Sequence, residues 1–198
     1  PNRTLLADRL QQGMAQTLRR GARLAVVALD LDGFKSINDR YGHDAGDRLL
    51  VAVSGCMNDM LREGDTLARM GGDEFVAVLV DLPDVDACLP LLDRLLRAAA
   101  EELVIDDCRI QVSASLGVTF YPQDEAIDAD QLLRQADQAM YEAKLLGKNR
   151  YHLFDAAQDR AMRGRHESLD RIRKALEQDE FVLHYQPKVN MRSGCTVG

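Results

Sequence analysis

Two small clusters of acids carry the chemistry open to this sequence. Met70-Gly-Gly-Asp-Glu-Phe75 places adjacent carboxylates, Asp73 and Glu74, directly after a glycine pair. Asp30 and Asp32 stand at i and i+2 where the apolar run Ala25-Val-Val-Ala-Leu29 ends, and on a strand that spacing turns both side chains to one face. Carboxylate oxygens are hard ligands suited to Mg²⁺, which usually takes one or two of them and leaves its other positions to water and substrate phosphates. Acids at two strand ends therefore point to metal-assisted phosphoryl or nucleotidyl transfer. Each cluster alone has a plainer reading. Asp-x-Asp often caps a strand or the helix that follows, and solvated acids beside a glycine turn are ordinary.

The elements that must position these acids follow from periodicity. Thr66–Met70 and Phe75–Val80 are β-rich runs flanking Gly71-Gly72, which predicts a hairpin over 65–81 with a two-residue turn, because glycine takes positive φ without steric cost. Leu5, Leu6, Leu10, Met14 and Leu18 predict a helix over 3–20, ended by Gly21. A strand over 22–30 is followed by a short helix Gly33–Arg40, broken at Gly42, and a longer one, His43–Leu61, with Leu49, Leu50, Val53, Cys56, Met57 and Met60 as its buried stripe. Pro83-Asp84 opens a helix to about Glu102, and strands are expected over 103–106 and 109–120. In the second, Val112, Ala114, Leu116 and Val118 alternate with Ser113, Ser115, Gly117 and Thr119. A helix Ala129–Leu146, with Leu132, Leu133, Ala136, Met140 and Ala143 on one face, leads to a closing strand Tyr151–Phe154. The order β-α-α-β-β-α-β-α-β with a central hairpin indicates an α+β sandwich with a mostly antiparallel sheet.

Composition excludes more than it identifies. The 198 residues allow one full domain plus a remnant, and the net charge of −7 argues against nucleic-acid binding by bulk electrostatics. Cys56, Cys88, Cys108 and Cys195 lack metal-type spacing and read as reduced, mostly buried thiols. No signal peptide and no run of 18 apolar residues is present. The segment is therefore expected to be soluble and cytoplasmic. Starting at Pro1 without a Met, it reads as an excised piece whose parent has room for a membrane anchor or sensor.

Three motifs in order, Asp30-Leu-Asp-Gly-Phe-Lys-Ser-Ile-Asn-Asp39, Tyr41-Gly-His-Asp-Ala-Gly-Asp47 and Gly71-Gly-Asp-Glu-Phe75, resemble the GGDEF domain of diguanylate cyclases. The similarity runs from Pro1-Asn-Arg3 to Asp137-Gln-Ala-Met-Tyr-Glu-Ala-Lys144 and Gly147-Lys-Asn-Arg150, covering about residues 1–155. It implies a palm-like fold related to adenylyl cyclase catalytic domains, with a five-stranded central sheet flanked by helices. It also implies condensation of two GTP into cyclic di-GMP by a homodimer, each protomer holding one GTP. By resemblance Asp30 and Asp73 hold Mg²⁺ (or Mn²⁺), the Leu31 carbonyl is a third ligand and Glu74 a further acid, with Asp73 or Glu74 the base. Asp32 either touches metal or orients the loop. Asn38 and Asp47 match the guanine-reading positions; an amide both donates and accepts, and a carboxylate accepts from guanine N1–H and its 2-amino group. Taken singly, Asn38 reads as a helix cap and Asp47 as a solvated acid. Amides of Gly33, Phe34 and Lys35, at a turn opening a helix, suit the β- and γ-phosphates, with a core role for Phe34 beside it. Lys144 and Lys148, i and i+4 on one helical face, contact the terminal phosphates by resemblance; the plain reading is a solvated pair. Arg62-Glu-Gly-Asp65 matches the family's Arg-x-x-Asp inhibitory site for cyclic di-GMP.

Beyond Asp155 the character shifts. Residues 156–179 read as a polar linker and a helix at about His166–Gln178, and Glu180-Phe-Val-Leu-His-Tyr-Gln-Pro-Lys-Val189 resembles the opening strands of an EAL phosphodiesterase domain, truncated at Gly198. The expected metal ligands of such a domain lie beyond Gly198, so the fragment is not expected to hydrolyse cyclic di-GMP. The leading expectation is an active, product-inhibited diguanylate cyclase module. The alternative is a silent GTP-binding domain that regulates an adjoining phosphodiesterase.

Overall fold

The computed structural model describes residues 3–105 and 108–155. The expected helix at 166–178, the strands after 180 and Cys195 lie outside the described residues. The chain begins with α1 (Arg3–Arg20), whose buried stripe is Leu6, Leu10, Gly13 and Thr17. Leu5 and Leu18, two of the apolar residues whose spacing predicts this helix, face outward at 42 % and 61 % exposure, because the stripe advances by i+4, i+7 and i+11 from Leu6. Arg19 and Arg20 in the last turn suit the negative end of the helix.

β1 (Arg23–Asp32) is the middle strand of a five-stranded sheet completed by β2 (Thr66–Gly71), β3 (Glu74–Leu82), β6 (Ser113–Tyr121) and β7 (Arg150–Leu153), in the order β2-β3-β1-β6-β7. Every pairing is antiparallel except β6 with β7. β1 is buried on both faces, which explains its unbroken apolar run. Ala25, Val27, Leu29 and Leu31 join one cluster with residues of α3 (His43–Asp59) and α4 (Leu89–Ala99), including Leu49, Val53, Leu92 and Leu95. Leu24, Val26 and Ala28 join the other with Leu6 and Leu10 of α1 and Leu132, Ala136 and Met140 of α5 (Ala129–Leu145). The expected α+β sandwich, with its mostly antiparallel sheet between helical layers, is the fold observed.

Some boundaries move. The helix expected from Pro83-Asp84 starts at Leu89, because the Asp84 carboxylate accepts the Ala87 amide at 2.7 Å and turns residues 86–88 into a separate 3-10 turn. The strand expected over 109–120 is two. β5 (Cys108–Ile110) pairs with β4 (Leu103–Ile105) as a separate ribbon, and the main-sheet strand begins at Ser113. Gln111, between them, donates its side-chain amide to the Ala100 carbonyl at 2.8 Å, anchoring the ribbon beside the end of α4. Cys88 is buried, which pushes its thiol up to about 12, whereas Cys108 is exposed against expectation because it lies on the small ribbon. At Gly117 a Cβ would run into the Ala136 carbonyl and the Met140 amide. Bare backbone there seats α5 directly on β6.

Candidate active site

Register builds the site. Asp30 pairs across β1 with Glu74 on one side and Ser115 on the other, and opposite residues in an antiparallel pair share a face. That face is the α5 side, since Val26, Ala28, Val76 and Val78 of the same parity join the α5 cluster. The β2–β3 turn consists of Gly72 and Asp73, with Gly71 paired to Glu74. Asp73 therefore lies within the turn rather than after it, because Gly71 (φ 156°) is still paired in the ladder and the chain reverses at Gly72 (φ 51°) and Asp73. The turn is tied down on two sides: Leu31 N–H donates to the Asp73 carbonyl at 3.3 Å, and Arg69 Nε donates to the Gly72 carbonyl at 2.9 Å.

Asp30 is the centre of charge. Burial pushes its carboxyl above the ordinary value; a hydrogen bond and ion pair from Lys144 oppose this, and the charges of Asp73 and Asp32 add to the rise. Lys144 Nζ lies 2.8 Å from Asp30 Oδ1, with side-chain exposures of 30 % and 13 %. The donor chemistry fits a divalent cation: two crowded carboxylates and a neighbouring carbonyl are hard oxygens, and an ammonium already sits on one of them. No group of three or more His, Cys, Asp or Glu with metal-binding geometry occurs among the described residues, and Mg²⁺ does not require one.

The other expected residues fall around this centre. α2 (Phe34–Tyr41) starts behind Gly33, and Phe34 is 7 % exposed within the core, so its side chain is structural. Helix geometry leaves the Phe34 and Lys35 amides at the start of α2 without intrahelical partners, whereas the Ser36 amide donates to the Gly33 carbonyl at 2.9 Å. Asn38 lies so close to Gly46 that a Cβ there would strike its Oδ1. This contact brings Asn38 beside Gly46 of α3, the residue before Asp47, which is exposed. Lys148 is not on the helical face of Lys144. α5 ends at Leu145 and Lys148 sits in the following turn with φ 61°. Lys148 donates its amide back to the Ala143 carbonyl at 3.1 Å.

Arg62 is exposed, and Asp65 braces its own turn. Its Oδ2 accepts the Arg62 amide at 3.0 Å and its Oδ1 accepts the Val80 amide at 3.1 Å. The pair stands at the start of β2, about 20 Å along the strand from the acids at ~3.4 Å per residue.

Sequence reasoning missed Asp137. It lines a cleft of about 200 Å³ with Arg3, Met70, Glu74 and Met140. Burial raises its carboxyl and the charge of Glu74 raises it further. The signal was available: Asp137 and Lys144 are two helical turns apart and share one flank of α5, beside its buried stripe Leu132, Ala136, Ala139, Met140 and Ala143. The partners of Asp32 were also missed. Ser113 and Ser115 read as the outward alternation of a strand, but their hydroxyls donate to Asp32 at 2.7 and 2.8 Å.

Residues 1–150 match the family described as diguanylate cyclase, GGDEF domain. The chain belongs to the GGDEF family. Over 198 residues it is 40 % identical to the bifunctional diguanylate cyclase/cyclic di-GMP phosphodiesterase MucR of Pseudomonas aeruginosa, a match that covers 100 % of this chain and 29 % of MucR. It is 37 % identical over 199 aligned residues to the cyclic di-GMP phosphodiesterase NbdA of the same organism, covering 98 % of this chain and 24 % of NbdA. The chain thus spans less than a third of either relative. Among solved structures, the GGDEF domain of YfiN (TpbB) from P. aeruginosa superposes with a TM-score of 0.75 at 35 % identity, over 78 % of this chain and 96 % of that one. The GGDEF fold accounts for the sheet order and for the acids at the β1 end and the β2–β3 turn. No helix among the described residues is long and apolar enough to cross a membrane.

Proposed function

We propose that this chain is a diguanylate cyclase module that joins two GTP into one cyclic di-GMP and releases two pyrophosphates. The observation that carries the reading is the convergence at the end of β1. Asp30 is paired in register with Glu74, its carboxyl feels the charge of Asp73, and Lys144 lies 2.8 Å away. Asp30, Asp73 and the Leu31 carbonyl would hold Mg²⁺ or Mn²⁺. When bound, that ion supplies neutralising charge at the phosphates and lowers the pKa of the attacking 3′-hydroxyl.

The remaining work belongs to the chain. Amides of Gly33, Phe34 and Lys35 receive the β- and γ-phosphates, with Lys144 and Lys148 as counter-charges. Asn38 and Asp47 read the guanine edge, a pattern adenine does not present. Asp73 or Glu74 takes the proton of the 3′-hydroxyl as its oxygen attacks the α-phosphate of the second GTP and pyrophosphate leaves. Each protomer supplies one nucleotide, so two copies must face each other. Arg62 and Asp65, remote from the cleft, would bind cyclic di-GMP and limit its own synthesis. In its parent the module would precede an EAL domain in the cytoplasm, with residues 156–179 as linker and helix and 180–198 as the start of that domain.

A second reading, a silent GTP-binding domain that regulates an adjoining phosphodiesterase, draws support from the likeness to NbdA, named as a phosphodiesterase. Incubation of the chain with GTP and Mg²⁺, followed by chromatography of the nucleotides, separates the two. Cyclic di-GMP is expected. Tight GTP binding without product would favour the second reading, and neither binding nor product would sink both.

A further inference from the structure

Asp32 occupies the place of a second metal ligand, two residues from Asp30 on one sheet face. Its carboxylate is already engaged by the protein. Oδ2 accepts the Ser113 hydroxyl at 2.7 Å and the Asn149 amide at 3.2 Å, and Oδ1 accepts the Ser115 hydroxyl at 2.8 Å. Ser113 is its own cross-strand partner and Ser115 is that of Asp30. Since β6 lies between β1 and β7, the Asp32 carboxylate reaches over β6 to the residue just before β7, with the two serines as supports.

What it reaches is a turn that needs holding. α5 ends with the Lys148 amide donating to the Ala143 carbonyl at 3.1 Å and the Gly147 amide to the Lys144 carbonyl at 3.3 Å, the paired bonds of a Schellman stop. Gly147, Lys148 and Asn149 then run at φ 117°, 61° and 47°. Side-chain-bearing residues seldom take left-handed φ in succession, and such backbone persists only where its surroundings enforce it. Helix carbonyls satisfy the first two amides of the turn, and Asp32 satisfies the third.

We propose that Asp32 is a positioning residue and not a metal ligand: it clamps the Gly147–Asn149 turn and so fixes where Lys144 and Lys148 present their ammonium groups to the terminal phosphates of the nucleotide. The inference rests on the GTP-binding reading above. It deepens that reading by giving the second acid of Asp-x-Asp a separate task. A carboxylate offers about four acceptor sites, and three protein donors leave Asp32 little to offer a cation. Asp30, by contrast, makes its ion pair to a lysine that a nucleotide can draw away.

The test compares the unaltered chain with Asp32→Ala, Lys148→Ala and the double variant. Amide exchange at Asn149 needs no nucleotide, and Asp32→Ala should speed it about tenfold or more. Affinity is read by calorimetry with an α,β-methylene analogue of GTP and with GMP. Asp32→Ala should weaken the triphosphate roughly tenfold and leave GMP nearly unchanged. In the Lys148→Ala background it should add little further loss, as expected of groups acting as one unit. Mn²⁺ affinity, followed by electron paramagnetic resonance, should not move. Unchanged exchange at Asn149, equal losses for GMP and the triphosphate, or a large drop in Mn²⁺ affinity would each overturn the proposal. Should Asp32→Ala fail to fold, the paired Ser113→Ala/Ser115→Ala variant keeps the carboxylate and loosens its supports. It should give the same selective loss in milder form, and no loss there would overturn the idea. If the unaltered chain binds neither nucleotide, the functional reading falls and the exchange comparison alone decides the clamp.

Discussion

Asp30 holds its charge at a cost to the fold. Burial sets its carboxyl above the ordinary value, and Lys144 only partly offsets that rise. A carboxyl raised on folding contributes stability that is complete below its unfolded pKa, ~3.9, and lost as pH climbs through the folded one. Near neutral pH the ionised group therefore detracts from stability. Asp30→Asn should unfold at a temperature no lower than the unaltered chain at about pH 7. Its advantage should vanish near pH 3, where both side chains are neutral. Lys144, 30 % exposed, can return to water. Cyclic di-GMP formation should meanwhile fall by about a hundredfold or more, the scale of losing a preorganised electrostatic contact. Thermal melts across that pH range, beside a turnover assay, check both halves, and a clear loss of stability at neutral pH would refute the assignment. Asn38 makes a second prediction at this scale. Asn38→Ala should weaken GTP by about 1–3 kcal/mol, roughly 5- to 150-fold, measurable by titration with the methylene analogue.

Two contacts between elements carry predictions of their own. The backbone of α5 rests on Gly117 of β6, where no Cβ fits. Gly117→Ala must lift the helix that bears Asp137 and Lys144, at about 1–3 kcal/mol or more for overpacking, visible as a lower denaturant midpoint. Activity should drop beyond what the unfolded fraction explains, because Lys144 moves relative to Asp30. The turn before β2 separates its two candidate ligand residues. Arg62 is exposed, so Arg62→Ala should relieve product inhibition and leave stability within error. Asp65 accepts two main-chain amides, so Asp65→Ala should also cost about 1–3 kcal/mol of stability for the donors left behind. Equal stability of the two variants would show that Asp65 is no brace.

For the whole molecule, the reading requires that one protomer cannot close the ring alone. At low protein concentration the rate of cyclic di-GMP formation should rise as the square of concentration, then become linear once dimers saturate. A linear dependence throughout, with a monomeric protein by light scattering, would contradict the face-to-face arrangement.

Local order was legible in the residues themselves. The apolar run of β1, the glycine pair between two β-rich runs and the helical spacing in α3 and α5 specify elements through periods of 2 and 3.6, and those elements follow in an order that permits few sandwiches. The acids at 30 and 73 could be paired as a site because each stands beside an apolar, β-rich run, Ala25–Leu29 and Phe75–Val80. What tertiary structure decided depends on register and on contacts far apart in the chain. Asp32 meets donors at 113, 115 and 149. Glu74 presses on Asp137, and Lys148 leaves its helix at a left-handed turn. The Asp84 cap and the Gln111 bond moved boundaries in the same way. Periodicity records which face of its own element a residue occupies. The group opposite that face depends on strand pairing and helix docking, which long-range burial sets.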